Sequence, residues 1–513
     1  RRRLEVLDLV ERPCGDPTAG EGQDLGHGSI MTDVRLQPDV ELVVSIDDAT
    51  PFGSPIGARP EQTVREALGP IVRLVERGGP DAVSRRSRAA LVEAAGQEAF
   101  RAIAAPSGGA WDVREAFRFP DPLLARHGAL DLVRAGTSLR IGVEPGRWDR
   151  LHAALARPDI SSPLGKVLWE HDLVDDGESE TDRMDADLTF VGHNTVVVRG
   201  PRASVMVDPY FRPAEARWPT GYQPLGPGQL GDVDAVLITH SHPDHFDPAS
   251  LLRIDPDTRV VVPVLERETV LAVDLVHRLR ELGFTDVVAL GWWQSIIVGD
   301  LEITALPFYG EQPTDGPVLH PEIRNAGNTY VVRTPGWSAA FLADSGRDHL
   351  GDVRGVADRW HAEHGPVDVV FGGYRGWFSY PAALVTSSVA RYLPFVPPEQ
   401  WQVRQQLMNG PSELIDAAER FGARWVVPYA DGGAPWFWEI GLGPRLDGDP
   451  RESPSFDPFP ERVVEAAASR MVVGGGLPVA GSVDVVVLRP GDGVTGLPEA
   501  MTTVRLDGHA WPW

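Results

Sequence analysis

The stretch VLITHSHPDHFD, residues 236–247, sets three histidines and an aspartate within six residues, directly after an apolar run. A short apolar run bounded by a turn reads as a buried strand, here ending at Ile238. Side chains alternate along extended chain, so His240 and His242 share one side and their imidazoles can converge on one ion. Asp244 and His245, at the start of the next helix, point at a second ion. Imidazole and carboxylate together suit zinc, iron or manganese, and a cluster this polar would be costly to bury without metal.

Outward from this stretch, the sequence from Leu188 consists of short β-branched runs divided by turns: LTFVGHNTVVVRG, ASVMVDPYF, TRVVVPV, DVVAL, SIIVGDLEITALPF, NTYVVRTPGWSAAFLADSG, VDVVFGG and RWVVPYADGG. Helical patterns such as LERETVLAVDLVHRLRELG separate the later runs. Two hairpin-like pairs followed by alternating strands and helices predict an α/β (α+β) fold of two sheets with helices outside them. The acidic, aperiodic segment 175–187 reads as a boundary. Before it, residues 1–180 are expected to form a mixed α/β domain, with strands in DVELVVSIDD and TSLRIGV and helices over 61–79, 81–105 and 148–155. The metal-binding domain is expected over 185–445. Residues 446–513 are expected to pack on it with a helix in ERVVEAAASRMV and a strand in SVDVVVLRP.

The pattern H-x-H-x-D-H after an apolar strand resembles the metallo-β-lactamase superfamily. FVGHNTVVVRGPRASVMVDPYF is similar to the superfamily's opening hairpin, with Asp208 closing its second strand. The resemblance covers residues 187–440 and implies an αββα metallo-β-lactamase sandwich. It also implies that Asp344, in FLADSGRD at the end of another apolar strand, bridges the two metals. The reaction stays open, because the superfamily includes hydrolases and redox enzymes.

The third ligand of the first metal separates those classes. In the hydrolases it is a histidine on a loop after an apolar strand; here LEITALPFYGEQ offers Glu311, preferred over His320 in GPVLHPE, which lies beyond the turn. After the last strand the superfamily has a further histidine, whereas VVPYADGG has none. Asp431 replaces it, or the position is left to a substrate oxygen or dioxygen. With His240, His242 and Glu311, the first ion has two imidazoles and one carboxylate, the set associated with non-haem Fe(II) and open positions for oxygen. The added carboxylate charge stabilises a di-ferric over a di-ferrous state, from which a zinc hydrolase would gain little.

In this respect the sequence resembles the non-haem di-iron monooxygenases of the chloramphenicol-biosynthesis β-hydroxylase family. That resemblance implies two iron ions held by His240, His242, Glu311, Asp244, His245 and Asp344, with Glu311 and Asp344 as the catalytic residues. It implies dioxygen as co-substrate, an electron donor, and β-hydroxylation of an amino acid carried as a thioester on the peptidyl carrier protein of a nonribosomal peptide synthetase. The alternative is a hydrolase of the lactonase or phosphodiesterase type with two zinc ions, in which Asp344 helps orient the attacking hydroxide.

His193, in FVGHNT, is expected either beside the metals, hydrogen-bonding a ligand carboxylate, or as a satisfied core histidine. Trp292, Trp293, Tyr309, Trp377, Phe378 and Tyr380 are candidates for a pocket wall, with more of them expected in the core; WFW at 436–438 reads the same way. In GPSELIDAAERFG, Ser412 is the expected helix cap. The formal charge of −25 argues against nucleic acid or an anionic membrane as partner. The single cysteine, Cys14, excludes a disulfide framework, a thiolate zinc finger and an iron–sulfur cluster of the usual ligation. The sequence has no apolar run long enough for a membrane helix and no signal-like segment, so a soluble, cytoplasmic protein is expected, although it starts at Arg1 rather than Met. RRSR, residues 85–88, reads as a solvated helix face rather than a docking patch. The amino-terminal region is the natural place for carrier docking or a homodimer contact.

Overall fold

The structure, a computed structural model, describes residues 2–5, 35–37, 40–46, 128–134, 137–144, 146–175, 183–211, 222–242, 244–266, 272–312, 324–376, 378–379, 400, 403, 405–406, 408–430, 460–473, 483–509 and 511. Cys14, residues 61–105, His320, Trp377, Tyr380, Asp431 and the WFW at 436–438 lie outside the described residues.

Two sheets face one another. From edge to edge, the first runs through Val287–Leu290, Arg259–Pro263, Ala235–Leu237, Ser204–Val207, Thr195–Arg199, Leu188–Gly192, Asp492–Thr495 and Thr502–Arg505. The second runs through Ser295–Val298, Leu301–Pro307, Asn328–Arg333, Ser338–Phe341, Val369–Gly372, Trp425–Pro428 and Asp484–Val485.

Strands covered on both faces are apolar at both parities, which explains the continuous β-branched runs. Val196, Val198, Val205, Val207, Ala235 and Leu237 point between the sheets, against Leu301, Ile303, Phe341, Phe371 and Val427. The intervening Val197, Met206, Val236, Val260 and Val262 face outward, onto the helices Trp148–Ala156 and Leu275–Leu282. On the far side Ala340, Leu342, Val370 and Val426 pack against the helices Val353–His364 and Pro411–Arg420. The result is the αββα sandwich expected from the sequence. Its inner core is tightly filled: the Phe341 and Phe371 rings stack at 5.1 Å, and truncating either to alanine would cost about 3–5 kcal/mol.

Ahead of the sandwich, Arg2–Glu5, Thr137–Val143, Gly128–Arg134 and Glu41–Ile46 form a four-stranded sheet. Leu130, Leu132, Leu139 and Ile141 of that sheet share one core with the outer helix layer of the sandwich. The helix Trp148–Ala156 is fastened there: His152 sets Nδ1 2.9 Å from the Leu282 carbonyl and Nε2 2.7 Å from that of Ile254.

Three local expectations are corrected. In LERETVLAVDLVHRLRELG residues 272–274 are not helical and 267–271 lie outside the described residues; the helix runs Leu275–Leu282, with the Asp274 side chain accepting the His277 N–H at 3.1 Å and Gly283 after it at φ +106°. Ser412 does not cap its helix. Gly410 is the cap, with Pro411 following and the Glu413 carboxylate accepting the Gly410 N–H at 2.7 Å, an arrangement in which the proline's missing N–H costs nothing. In SVDVVVLRP only Asp484–Val485 is strand. The tail instead adds the hairpin Asp492–Thr495 and Thr502–Arg505 to the first sheet. Those strands are short and polar, and only their long-range pairing with Leu188–Gly192 marks them.

Within each sheet the strands that matter run parallel: Ser204–Val207, Ala235–Leu237 and Arg259–Pro263 in one, Ser338–Phe341, Val369–Gly372 and Trp425–Pro428 in the other. Carboxyl ends of parallel strands open together at one edge, the usual place for a site in such sheets. The sheets also touch there, through a backbone bridge from His240 to Gly327. A Cβ at position 327 would lie 2.9 Å from the Thr239 carbonyl, so only glycine permits that approach. Among the described residues no helix is long and apolar enough to cross a membrane.

Candidate metal centre

Each polar group at this edge follows a strand. His240 and His242 follow Ala235–Leu237, while Glu311 follows Leu301–Pro307 on the other sheet. The His240 Nε2 and His242 Nδ1 atoms are 3.0 Å apart, and Glu311 Oε2 lies 3.1 Å from the first and 2.8 Å from the second. Asp344, after Ser338–Phe341, brings a carboxylate oxygen within 4.8 Å of this group.

A second group adjoins it. His193, at the turn after Leu188–Gly192, sets Nε2 3.0 Å from Asp244 Oδ2. His245 Nε2 is 3.9 Å from that same oxygen and 3.3 Å from Asp344 Oδ2. Asp344 therefore lies between the two groups and is in reach of both.

A hydrogen-bond relay aims these donors. Asp208 accepts from the Thr239 N–H at 2.7 Å and the Thr239 hydroxyl at 2.6 Å, and its Oδ2 lies 2.7 Å from His245 Nδ1. The Thr239 hydroxyl, its proton given to Asp208, accepts from His240 Nδ1 at 3.0 Å. The network thus assigns the Nδ1–H tautomer to His240 and His245, leaving both Nε2 lone pairs facing the centre. Asn194 donates to the Asp244 carbonyl at 2.8 Å and sits 3.0 Å from His245 Nε2. On the opposite rim Ser345 joins the two acidic loops: its hydroxyl accepts the Tyr309 N–H and donates to the Tyr309 carbonyl, both at 3.0 Å.

Backbone strain gathers in the same place. Among the described residues seven non-glycines have positive φ, and five of them, His193, Asp208, Glu311, Ala343 and Ala430, carry or flank these groups. Such conformations cost on the order of 1–3 kcal/mol each and persist where the surroundings hold them for function.

The electrostatics fit a centre built for cations. Burial works against the charge on Glu311, but the facing His242 and His240 hold its carboxyl well below its ordinary value. Burial likewise opposes charge on Asp244, and His245 with His193 outweighs it, so this carboxyl too stays ionised. Burial pushes the His240 imidazole down. For His245 burial pulls the same way, but Asp208, Asp344 and Asp244 raise it well above the usual histidine range. The buried Arg375 adds a further positive charge that Asp244 feels.

The donors fit metal ions. The first group's nitrogen and oxygen atoms lie 2.8, 3.0 and 3.1 Å from one another, close enough for one ion to take all three. Asp344 Oδ1 is buried with no hydrogen-bond partner among the described residues, as befits an oxygen meant for a metal.

His240, His242, Asp244, His245, Glu311, Asp344 and His193 are thus all brought together. The sequence reading gave no role to Thr239, Asn194, Ser345 or Arg375, and it noted Asp208 only as a strand end. A polar residue closing an apolar run, as in VMVD and LIT, is the signal that could have marked Asp208 and Thr239. Of the aromatics, Trp292 meets Tyr309 at 5.6 Å and donates to the Gly327 carbonyl, whereas Trp293 packs toward the outer core under Arg359.

Residues 204–429 match the β-lactamase superfamily domain, and the chain carries a metallo-β-lactamase-fold domain with clustered metal-type donors at its strand ends. Over 262 residues it is 32% identical to the Streptomyces venezuelae 3-hydroxylase of 4-amino-L-phenylalanyl-CmlP-peptidyl-carrier-protein, covering 48% of this chain and 44% of that protein. Over 291 residues it is 30% identical to a Mycolicibacterium smegmatis protein with the provisional name Rieske 2Fe-2S iron-sulfur protein, covering 54% of this chain and 48% of that one. The chain thus spans about half the length of the curated relatives it matches. The crystal structure of CmlA, a diiron beta-hydroxylase from Streptomyces venezuelae, aligns with a TM-score of 0.55 over 93% of this chain and 100% of that chain, at 19% identity. That likeness is one of fold.

Proposed function

We propose that this protein is a di-iron, oxygen-dependent monooxygenase that β-hydroxylates an aminoacyl group held on a peptidyl carrier protein. The observation that carries the reading is the convergence of His240, His242 and Glu311, two imidazoles and one carboxylate within 3.1 Å of one another, the donor set associated with non-haem Fe(II). In this reading those three residues hold the first iron, Asp244 and His245 the second, and Asp344 bridges. When bound, the irons supply reductive activation of dioxygen. One oxygen atom enters the substrate C–H bond and the other leaves as water, a balance that takes two electrons and two protons from outside. The electrons come from a donor that the single cysteine of this sequence cannot provide as an iron–sulfur cluster. The protein's own part is to keep its carboxylates ionised and to fix the imidazole tautomers through Asp208 and Thr239. The carrier-bound substrate is supported by the Streptomyces venezuelae hydroxylase, whose name specifies one.

The test is metal content together with the optical spectrum of aerobically purified protein. About two irons per chain with an oxo-bridged charge-transfer band are expected. Two tightly held zincs with rapid ester hydrolysis would instead establish the lactonase or phosphodiesterase reading.

A further inference from the structure

We propose that His193 is itself a ligand of the second metal ion rather than only a hydrogen-bond partner of Asp244; this deepens, and rests on, the two-metal reading above. Its Nε2 lies 3.0 Å from Asp244 Oδ2, and the donor atoms of His193, Asp244 and His245 all lie within 4.8 Å of one another. The same kind of contact, an imidazole nitrogen facing a carboxylate oxygen at 2.8 and 3.1 Å, defines the first group. His193 is buried and adopts the left-handed backbone region, φ +53°, directly after Gly192.

Its place in the fold is the second, independent observation. The strand Trp425–Pro428 ends at the centre, but the residues described there offer it no ligand. Tyr429 spends its hydroxyl on the Ala343 N–H at 3.0 Å, and Ala430 has no donor side chain. The Ala430 N–H is bonded to the His193 carbonyl at 3.0 Å, so the turn carrying His193 is fixed against the end of that strand. The imidazole reaches the corner from the opposite sheet. With it, the second ion has two imidazoles, its own carboxylate Asp244 and a share of Asp344, the same donor set as His240, His242, Glu311 and Asp344. Without it, the second ion keeps a single imidazole.

Cobalt(II) provides the test, on the full chain. In a Cys14→Ser background free of other thiols, His193→Cys loaded with cobalt should show a near-ultraviolet thiolate-to-cobalt charge-transfer band at two ions per chain. His193→Gln, which keeps an N–H for Asp244, should retain about one ion per chain after dialysis. Two ions without the band, or two ions retained by the glutamine variant, would overturn the proposal and leave His193 as a positioning residue. Should the cysteine variant lose its fold by circular dichroism, the glutamine variant's metal count decides. If the unsubstituted chain binds fewer than two ions, the two-metal reading fails instead.

Discussion

The two halves of the metal centre are built differently. The first joins both sheets: two imidazoles from the loop after Ala235–Leu237 meet a carboxylate from the loop after Leu301–Pro307, with contacts of 2.8 to 3.1 Å. The second draws Asp244 and His245 from that first loop, and its internal contacts spread to 3.9 Å. It leans on Asp208, Asn194 and the His193 turn for its shape. Asp208 bonds His245 of the second half directly and reaches His240 of the first only through the Thr239 hydroxyl. The two halves should therefore fail in different ways.

The largest expected effect comes from Glu311. Glu311→Ala should reduce metal content from about two ions per chain to about one and abolish oxygen-dependent turnover, and Glu311→His should move the site toward zinc, both read by elemental analysis. Unchanged iron loading and turnover in either variant would show that the first group is not what it looks like. Next is Asp208→Asn. Loss of the carboxylate behind a metal-ligating histidine typically costs 10–100-fold in affinity, so chelator competition should release one ion of the pair at roughly 10–100-fold lower chelator concentration. Equal release of both ions would erase the distinction between the halves.

A pH dependence follows from the charges on His245. The surrounding carboxylates raise its folded-state value well above the usual histidine range, so the metal-free imidazole holds a proton to higher pH than a free histidine does and metal must displace it. Apparent affinity should accordingly rise with pH until that raised value is passed and level off above it. Calorimetry in buffers of different ionisation enthalpy should find protons released on binding at pH 7; uptake would reverse the assignment. Smaller still, Thr239→Val leaves the buried Asp208 short of a donor, for about 1–3 kcal/mol of stability by denaturant unfolding. Ser345→Ala, which unties the Glu311 and Asp344 loops, should cost about 1 kcal/mol.

Much of this was legible in the chain. His240, His242, Asp244 and His245 lie in one strand-end loop, where spacing alone sets which side chains can meet. The parity of VVV, VMV and AVLI shows which faces are covered because extended backbone has a period of two. What failed was local detail set by competition: Ser412 lost its cap to Gly410 once Pro411 and Glu413 were in place, and the terminal hairpin had too little apolar alternation to declare itself.

The sequence by itself determined the sandwich and the density of metal-type donors, since both follow from short-range periodicity. Only the tertiary structure decided that Asp208 works through Thr239, that Ser345 ties the Glu311 and Asp344 loops through Tyr309, and that the His193 turn is held by Ala430. These contacts join residues far apart in the chain, and no local pattern records which loops the packing of two sheets will bring to a common edge.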